Sequence, residues 1–164
     1  MKPKFIDYYM KMADITSELS YAKRLQVGAV IVKNHQVIGT GYNGMPTGWE
    51  NNCENVEFTY DERDTYNSND WKFDEETKKY VRLKTKPEVL HAESNAIAKV
   101  SRSTESSEGS TLFCTHAPCI QCAKLIYQSG ITNLYFKNHY RDDDGLKFLE
   151  KSGVCVTHYN NTQS

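Results

Sequence analysis

No apolar run in the sequence approaches the ~20 residues that a helix needs to cross a bilayer, so no membrane role is expected. Charge of either sign is not in excess. The formal net charge is -1, which gives no general field for a polyanion and argues against a nucleic-acid coat protein, though a local basic pocket is compatible with it. Cysteine is sparse, odd in number at five, and spaced in no disulfide framework. A reducing, intracellular setting is the expectation, with thiols free for metal or catalysis. The opening MKPKFIDYYMKMADI is too polar for a signal peptide, so a cytoplasmic location is expected. Internal repeats and long low-complexity tracts are missing as well. What remains is 164 residues, 38% hydrophobic and 25% charged, a balance that suits one globular domain with one sizeable core.

Periodicity along the chain predicts its organisation. Residues 5–21 place Phe5, Ile6, Tyr9, Met12, Ala13 and Leu19 at helical spacing. The β-branched runs 27–32 and 37–40 flank a turn-like Lys33-Asn34-His35, which predicts a hairpin. GYNGMPTG, residues 41–48, reads as a glycine-rich loop. Residues 50–87 turn polar and charged with scattered aromatics and no clear period, the character of a lid, a partner surface or an insertion on one domain spanning 1–164. Regular structure resumes with a helix over 89–100. The buried strand TLFC, a helix closed by Gly130, the strand ITNLYFK, a helix ending at Gly153 and the strand VCVTHY follow. Strand alternating with helix predicts an α/β layered fold, and the opening hairpin makes its sheet mixed.

Two helix starts carry the chemistry. Cys119 and Cys122 lie three apart behind Pro118, on one face of a first helical turn, where backbone N–H groups and the helix dipole stabilise thiolates. Alone, such a pair reads equally as a redox couple, half of a structural zinc site, or chance. Cys53, Cys114, Cys155 and the histidines His35, His116, His139 and His158 are singletons that complete no second pair. His91 supplies a third ligand, and two thiolates with one neutral imidazole balance Zn²⁺ while leaving one position open, the catalytic pattern. A metal there lowers the pKa of bound water to about 7. Glu93, two residues on, points at the same place only if both residues sit at a helix N-terminus; it is then a proton carrier, not a ligand. H-x-E followed by P-C-x-x-C is the known signature of zinc nucleobase deaminases.

The sequence resembles the cytidine and deoxycytidylate deaminase superfamily, on the deoxycytidylate side. The resemblance rests on QVGAVIV (26–32), GTGYNGMPTG (39–48), HAESNAIAKV (91–100) and APCIQCAKLIYQSGI (117–131). It implies a three-layer α/β/α sandwich around a mixed five-stranded sheet. It also implies hydrolysis of dCMP to dUMP and ammonia, with zinc held by His91, Cys119 and Cys122. Glu93 would act as general acid and base, passing a proton from water to N3 of the pyrimidine and then, having regained one, a proton to the departing amino group. Asn43 and Tyr140 match substrate positions, and Lys23, Arg24, Lys124 and Arg141 are candidates for the phosphate. Family members are often hexamers activated by dCTP with Mg²⁺ and inhibited by dTTP. The corresponding effector positions are Val27, Gly28, Tyr42, Asn43 and Gly44. One zinc per chain is expected, because Cys53 has no second cysteine near Ala22 and Lys23 to build a structural site. The homo-oligomer and its nucleotides dCMP, dCTP and dTTP are the expected partners, with neither nucleic acid nor membrane.

Three other readings share some of these residues. A tRNA or single-stranded DNA base deaminase has the same motif but needs a basic, aromatic groove, which the net charge disfavours. A free-nucleoside deaminase more often binds zinc through three thiolates. A non-catalytic zinc-binding module would have no use for Glu93 beside an open coordination position.

Overall fold

The computed structural model describes residues 1–66 and 70–160. Its elements run α1 (Pro3–Ser17), β1 (Gly28–Lys33), β2 (Gln36–Tyr42), β3 (Glu54–Thr59), a 3₁₀ turn (Glu62–Thr65), β4 (Lys72–Asp74) and β5 (Lys79–Thr85). They continue with α2 (Ala92–Ser101), β6 (Thr111–His116), α3 (Ile120–Gln128), β7 (Asn133–Asn138), α4 (Asp144–Lys151) and β8 (Cys155–His158). The main sheet has the order β2-β1-β6-β7-β8. β1 is antiparallel to both β2 and β6, and β6, β7 and β8 are parallel, so the sheet is mixed as expected.

Side-chain alternation divides the core into two layers. Ala29, Ile31, Leu112, Cys114, Leu134 and Phe136 face α2, α3 and α4. Val30, Val32 and Phe113 face Tyr9, Met10 and Ala13 of α1. Helices on both faces give the three-layer sandwich. Phe113 is fully buried and stacks on Tyr135 with ring centroids 5.0 Å apart. Burying a side chain of this size stabilises by roughly 1.5–3 kcal/mol.

The hairpin turns at Asn34 and His35, whose φ values of 50° and 62° are the left-handed pair that matches the twist of the flanking strands. Helix α1 stops at Ser17, four residues short of the periodic pattern, and Ser20 instead donates its hydroxyl to the Asn43 carbonyl at 2.7 Å. Helix α2 begins at Ala92 rather than near residue 89, because Leu90 pairs across to Gly44 through N–H···O bonds of 3.1 and 2.9 Å.

The largest difference from the sequence expectation is in 50–87. That stretch holds a second, three-stranded antiparallel sheet of order β3-β5-β4, with Glu54 opposite Thr85 at one end and Thr59 opposite Tyr80 at the other. The part of the stretch at 67–69 lies outside the described residues.

Candidate active site

Helix α2 reaches the sheet closely because β2 carries Gly41. A Cβ there would run into the Ala92 carbonyl and come within 2.5 Å of the Ala96 amide nitrogen. This contact brings the first turn of α2 down to the strand ends. His91 is its N-cap residue, in extended conformation with φ -79° and ψ 153°, and Glu93 lies in the first turn. Helix α3 starts in the same way. Cys119 is its extended N-cap, Cys122 follows inside the first turn, and the Ala123 N–H donates to the Cys119 carbonyl at 2.9 Å. A Cβ on Gly145, at the start of α4, would strike the Pro118 carbonyl, so α4 lies directly against this turn.

The two helix starts meet. His91 Nδ1 is 3.6 Å from Cys119 Sγ and 3.4 Å from Cys122 Sγ, and all three donor atoms lie within 4.8 Å of one another. Zinc–sulfur bonds of ~2.3 Å and a zinc–nitrogen bond of ~2.0–2.1 Å at tetrahedral angles put sulfur and nitrogen ~3.6 Å apart, so the donor set fits zinc. Among the described residues this is the one His/Cys/Asp/Glu group with such proximity. The sequence singled out the residues but not which imidazole nitrogen faces the sulfurs.

Electrostatics favour cation capture. A hydrogen bond from Cys122, aided by His91 and by the Cys122 backbone N–H, draws the Cys119 thiol down to about 3, against the opposing effect of burial. Cys122 is pushed up, first because it donates to Cys119 and then by burial. A divalent cation between the sulfurs removes that asymmetry, since a coordinating thiol is deprotonated outright. The His91 imidazole is raised, chiefly by its hydrogen bond to Cys119. Glu93 is 4% exposed, and burial pushes its carboxyl above the ordinary range.

His91, Glu93 and Cys119 form one wall of a cleft that is open to solvent. Arg24, Asn43, His116 and Tyr140 line it too. Asn43 is buried, and its amide is engaged with backbone: Oδ1 accepts from Val27 N–H at 2.8 Å and Nδ2 donates to the Leu25 carbonyl at 2.8 Å. One N–H and one lone pair of that amide remain for another partner. Arg24 donates through Nη1 to Thr85 Oγ1 at 3.3 Å and pairs through Nη2 with Asp70 at 3.5 Å. Its Nε is buried and has no hydrogen-bond partner among the described residues. Of the four cations the sequence offered, Arg24 lines the cleft, whereas Lys23, Lys124 and Arg141 do not.

The effector candidates are neighbours on the β1–β2 pair: Gly28 lies opposite Tyr42, and the Asn43 N–H donates to the Val27 carbonyl at 3.2 Å. Val27 and Asn43 belong to the cleft wall. Gly28 packs beneath α1, where a Cβ would strike the Ala13 carbonyl. Tyr42 accepts from Asn95 Nδ2 through its carbonyl at 2.8 Å, and Gly44 is paired with Leu90. His116 was only a singleton in the sequence. In the structure it is a cleft residue whose Nδ1 lies 3.1 Å from Thr115 Oγ1 and whose imidazole is held down by burial. Its position three residues before Cys119, at the strand end, is the signal that would have found it.

The cytidine and deoxycytidylate deaminase zinc-binding region matches residues 3–138. The chain belongs to this family. It is 34% identical over 170 residues to the deoxycytidylate deaminase of Enterobacteria phage T4, covering 90% of this chain and 86% of the phage enzyme. It is 30% identical to the deoxycytidylate deaminase of Saccharomyces cerevisiae over 164 residues, 99% of this chain; it spans about half, 47%, of that relative's length. Among solved structures, the dCMP deaminase of cyanophage S-TIM5, determined in complex with dCMP and dUMP, superposes with a TM-score of 0.79. The two are 39% identical over 97% of this chain and 99% of that one. Family membership accounts for the mixed sheet, the pair of helix starts and the His-Cys-Cys group together.

Proposed function

We propose that this chain hydrolyses dCMP to dUMP and ammonia, using one zinc ion held by His91, Cys119 and Cys122. The observation that carries the reading is a zinc-compatible donor triad whose His91 and Cys119 line one cleft with the buried carboxyl of Glu93 and with Arg24. The named activity of the T4 and cyanophage relatives supports it. When bound, zinc supplies Lewis acidity and a water whose pKa is near 7.

Glu93 takes the water's proton on a carboxyl oxygen and carries it to N3 of the ring as the water oxygen bonds to C4. It then takes the proton of the new C4 hydroxyl and passes it to the amino group, which leaves as ammonia when the C4–N bond breaks. Burial suits the carboxyl to this work by raising its proton affinity toward neutral pH. Arg24 holds the 5′-phosphate through a charge-assisted contact, and Tyr140 borders the same end of the substrate. Asn43 fixes the Leu25–Val27 segment that carries the wall of the cleft, and offers its remaining N–H to the nucleotide. The setting is a cytosolic nucleotide pool. Among the described residues no helix is long and apolar enough to cross a membrane.

Ammonia release from dCMP, CMP, deoxycytidine and dCTP tests the substrate. Turnover confined to dCMP is expected, and equal turnover of deoxycytidine overturns the assignment. Assembly as a homo-oligomer and control by dCTP with Mg²⁺, opposed by dTTP, belong to the same proposal. A hyperbolic dCMP curve indifferent to added dCTP removes the regulation.

A further inference from the structure

The three-stranded sheet at 54–85 has no place in the α/β/α sandwich, yet its base touches the cleft. Glu54 opens β3 and Thr85 closes β5, and the two are direct cross-strand partners. Both hold the same residue. One carboxylate oxygen of the buried Glu54, Oε1, accepts the backbone N–H groups of Lys23 and Arg24, each at 3.0 Å. The Thr85 hydroxyl accepts from Arg24 Nη1 at 3.3 Å. The backbone of Arg24 and the tip of its side chain are therefore fixed by adjacent residues of one strand pair, and the Lys86 N–H···O=C Cys53 bond of 2.9 Å locks that pair just outside.

An arginine side chain on a connecting segment has substantial rotamer entropy to lose on binding. Held at both ends, Arg24 has much of that freedom removed before any ligand arrives, so an anion meets a preset guanidinium. We infer that the second sheet is the positioning element of Arg24, with Glu54 and Thr85 as positioning residues that set the preference for a phosphorylated substrate. The inference rests on the reading of Arg24 as the phosphate-binding cation.

The quantity to measure on the zinc-loaded enzyme is the ratio of kcat/KM for dCMP to kcat/KM for deoxycytidine. Arg24→Ala should lower it by ~10- to 150-fold, the range for a hydrogen bond to a charged group. Thr85→Val, which keeps shape and removes the hydroxyl, should lower it roughly 3- to 10-fold through KM for dCMP, and Thr85→Ser should restore it. Glu54→Ala should lower it further. Glu54→Gln should largely rescue, because both accepted bonds go to one oxygen that the amide also supplies. If Glu54→Ala does not fold, the Thr85 pair alone decides.

A ratio unchanged in Thr85→Val while Arg24→Ala collapses it overturns the positioning role and leaves the phosphate reading standing. A ratio unchanged in Arg24→Ala, or no dCMP turnover by the wild type, overturns the phosphate reading, and the inference falls with it.

Discussion

Glu93→Gln isolates the proton carrier from the metal. The substitution keeps the size of the side chain and replaces none of the three donor atoms, which come from His91, Cys119 and Cys122. A positioned general acid and base contributes about 10²- to 10⁴-fold. Glu93 is the one acidic residue among the described residues lining the cleft, so no neighbouring carboxylate can take over the transfer. The loss should lie toward the upper end, and 10⁴-fold corresponds to roughly 5.5 kcal/mol of barrier at about 1.4 kcal/mol per tenfold. The assay pairs ammonia release from dCMP with zinc content measured on the same sample. The expected result is full zinc with activity at background. A variant that keeps a tenth of wild-type turnover with zinc bound refutes the catalytic assignment. One that loses its zinc refutes the division of labour between carboxyl and ligands.

Cys122→Ser should bring zinc content from about one per chain toward zero and abolish turnover, as read by metal analysis; a second zinc in the wild type would contradict the single site. Gly41→Ala should lower the melting temperature, because the added carbon meets Ala92 and Ala96 backbone rather than a side chain that can turn away. Overpacking of this kind costs about 1–3 kcal/mol, or roughly 3–10 °C by calorimetry at this chain length. Asn43→Ala should strand the Val27 N–H and the Leu25 carbonyl at about 1–3 kcal/mol each; a melting curve unchanged by that substitution contradicts the clamp.

The two helix starts were legible because their information is local. P-C-x-x-C and H-x-E each fix spacing within one turn, and a helix N-terminus is where both residues of H-x-E can face one point. The hairpin was legible for the same reason, since Asn34 tolerates the left-handed turn between two β-branched runs. The second sheet was not. Its strands ENVEFT and KYVRLKT carry a short period-two signal, but polar and charged residues dominate the composition of 50–87, and their pairing across strands is visible only in the structure. Arg82 pairs with Glu57 at 2.6 Å. Its register depends on partners about thirty residues apart, such as Glu54 and Thr85. The roles of Arg24 and Asn43 were hidden likewise, because both depend on contacts between distant segments. The start of α2 was misplaced because apolar spacing cannot register the pairing of Leu90 with Gly44 that ends the extended stretch.

That short pairing also acts as a zipper stop. It joins the chain before and after the excursion immediately upstream of His91, so what happens farther out is mechanically insulated from the histidine. Because the entropy of closing a loop grows only slowly with length, the terrain beyond Glu54 and Thr85 can be lengthened, trimmed or exchanged at small thermodynamic cost. The fold thus contains a graftable cassette whose root, rather than its reach, is under constraint.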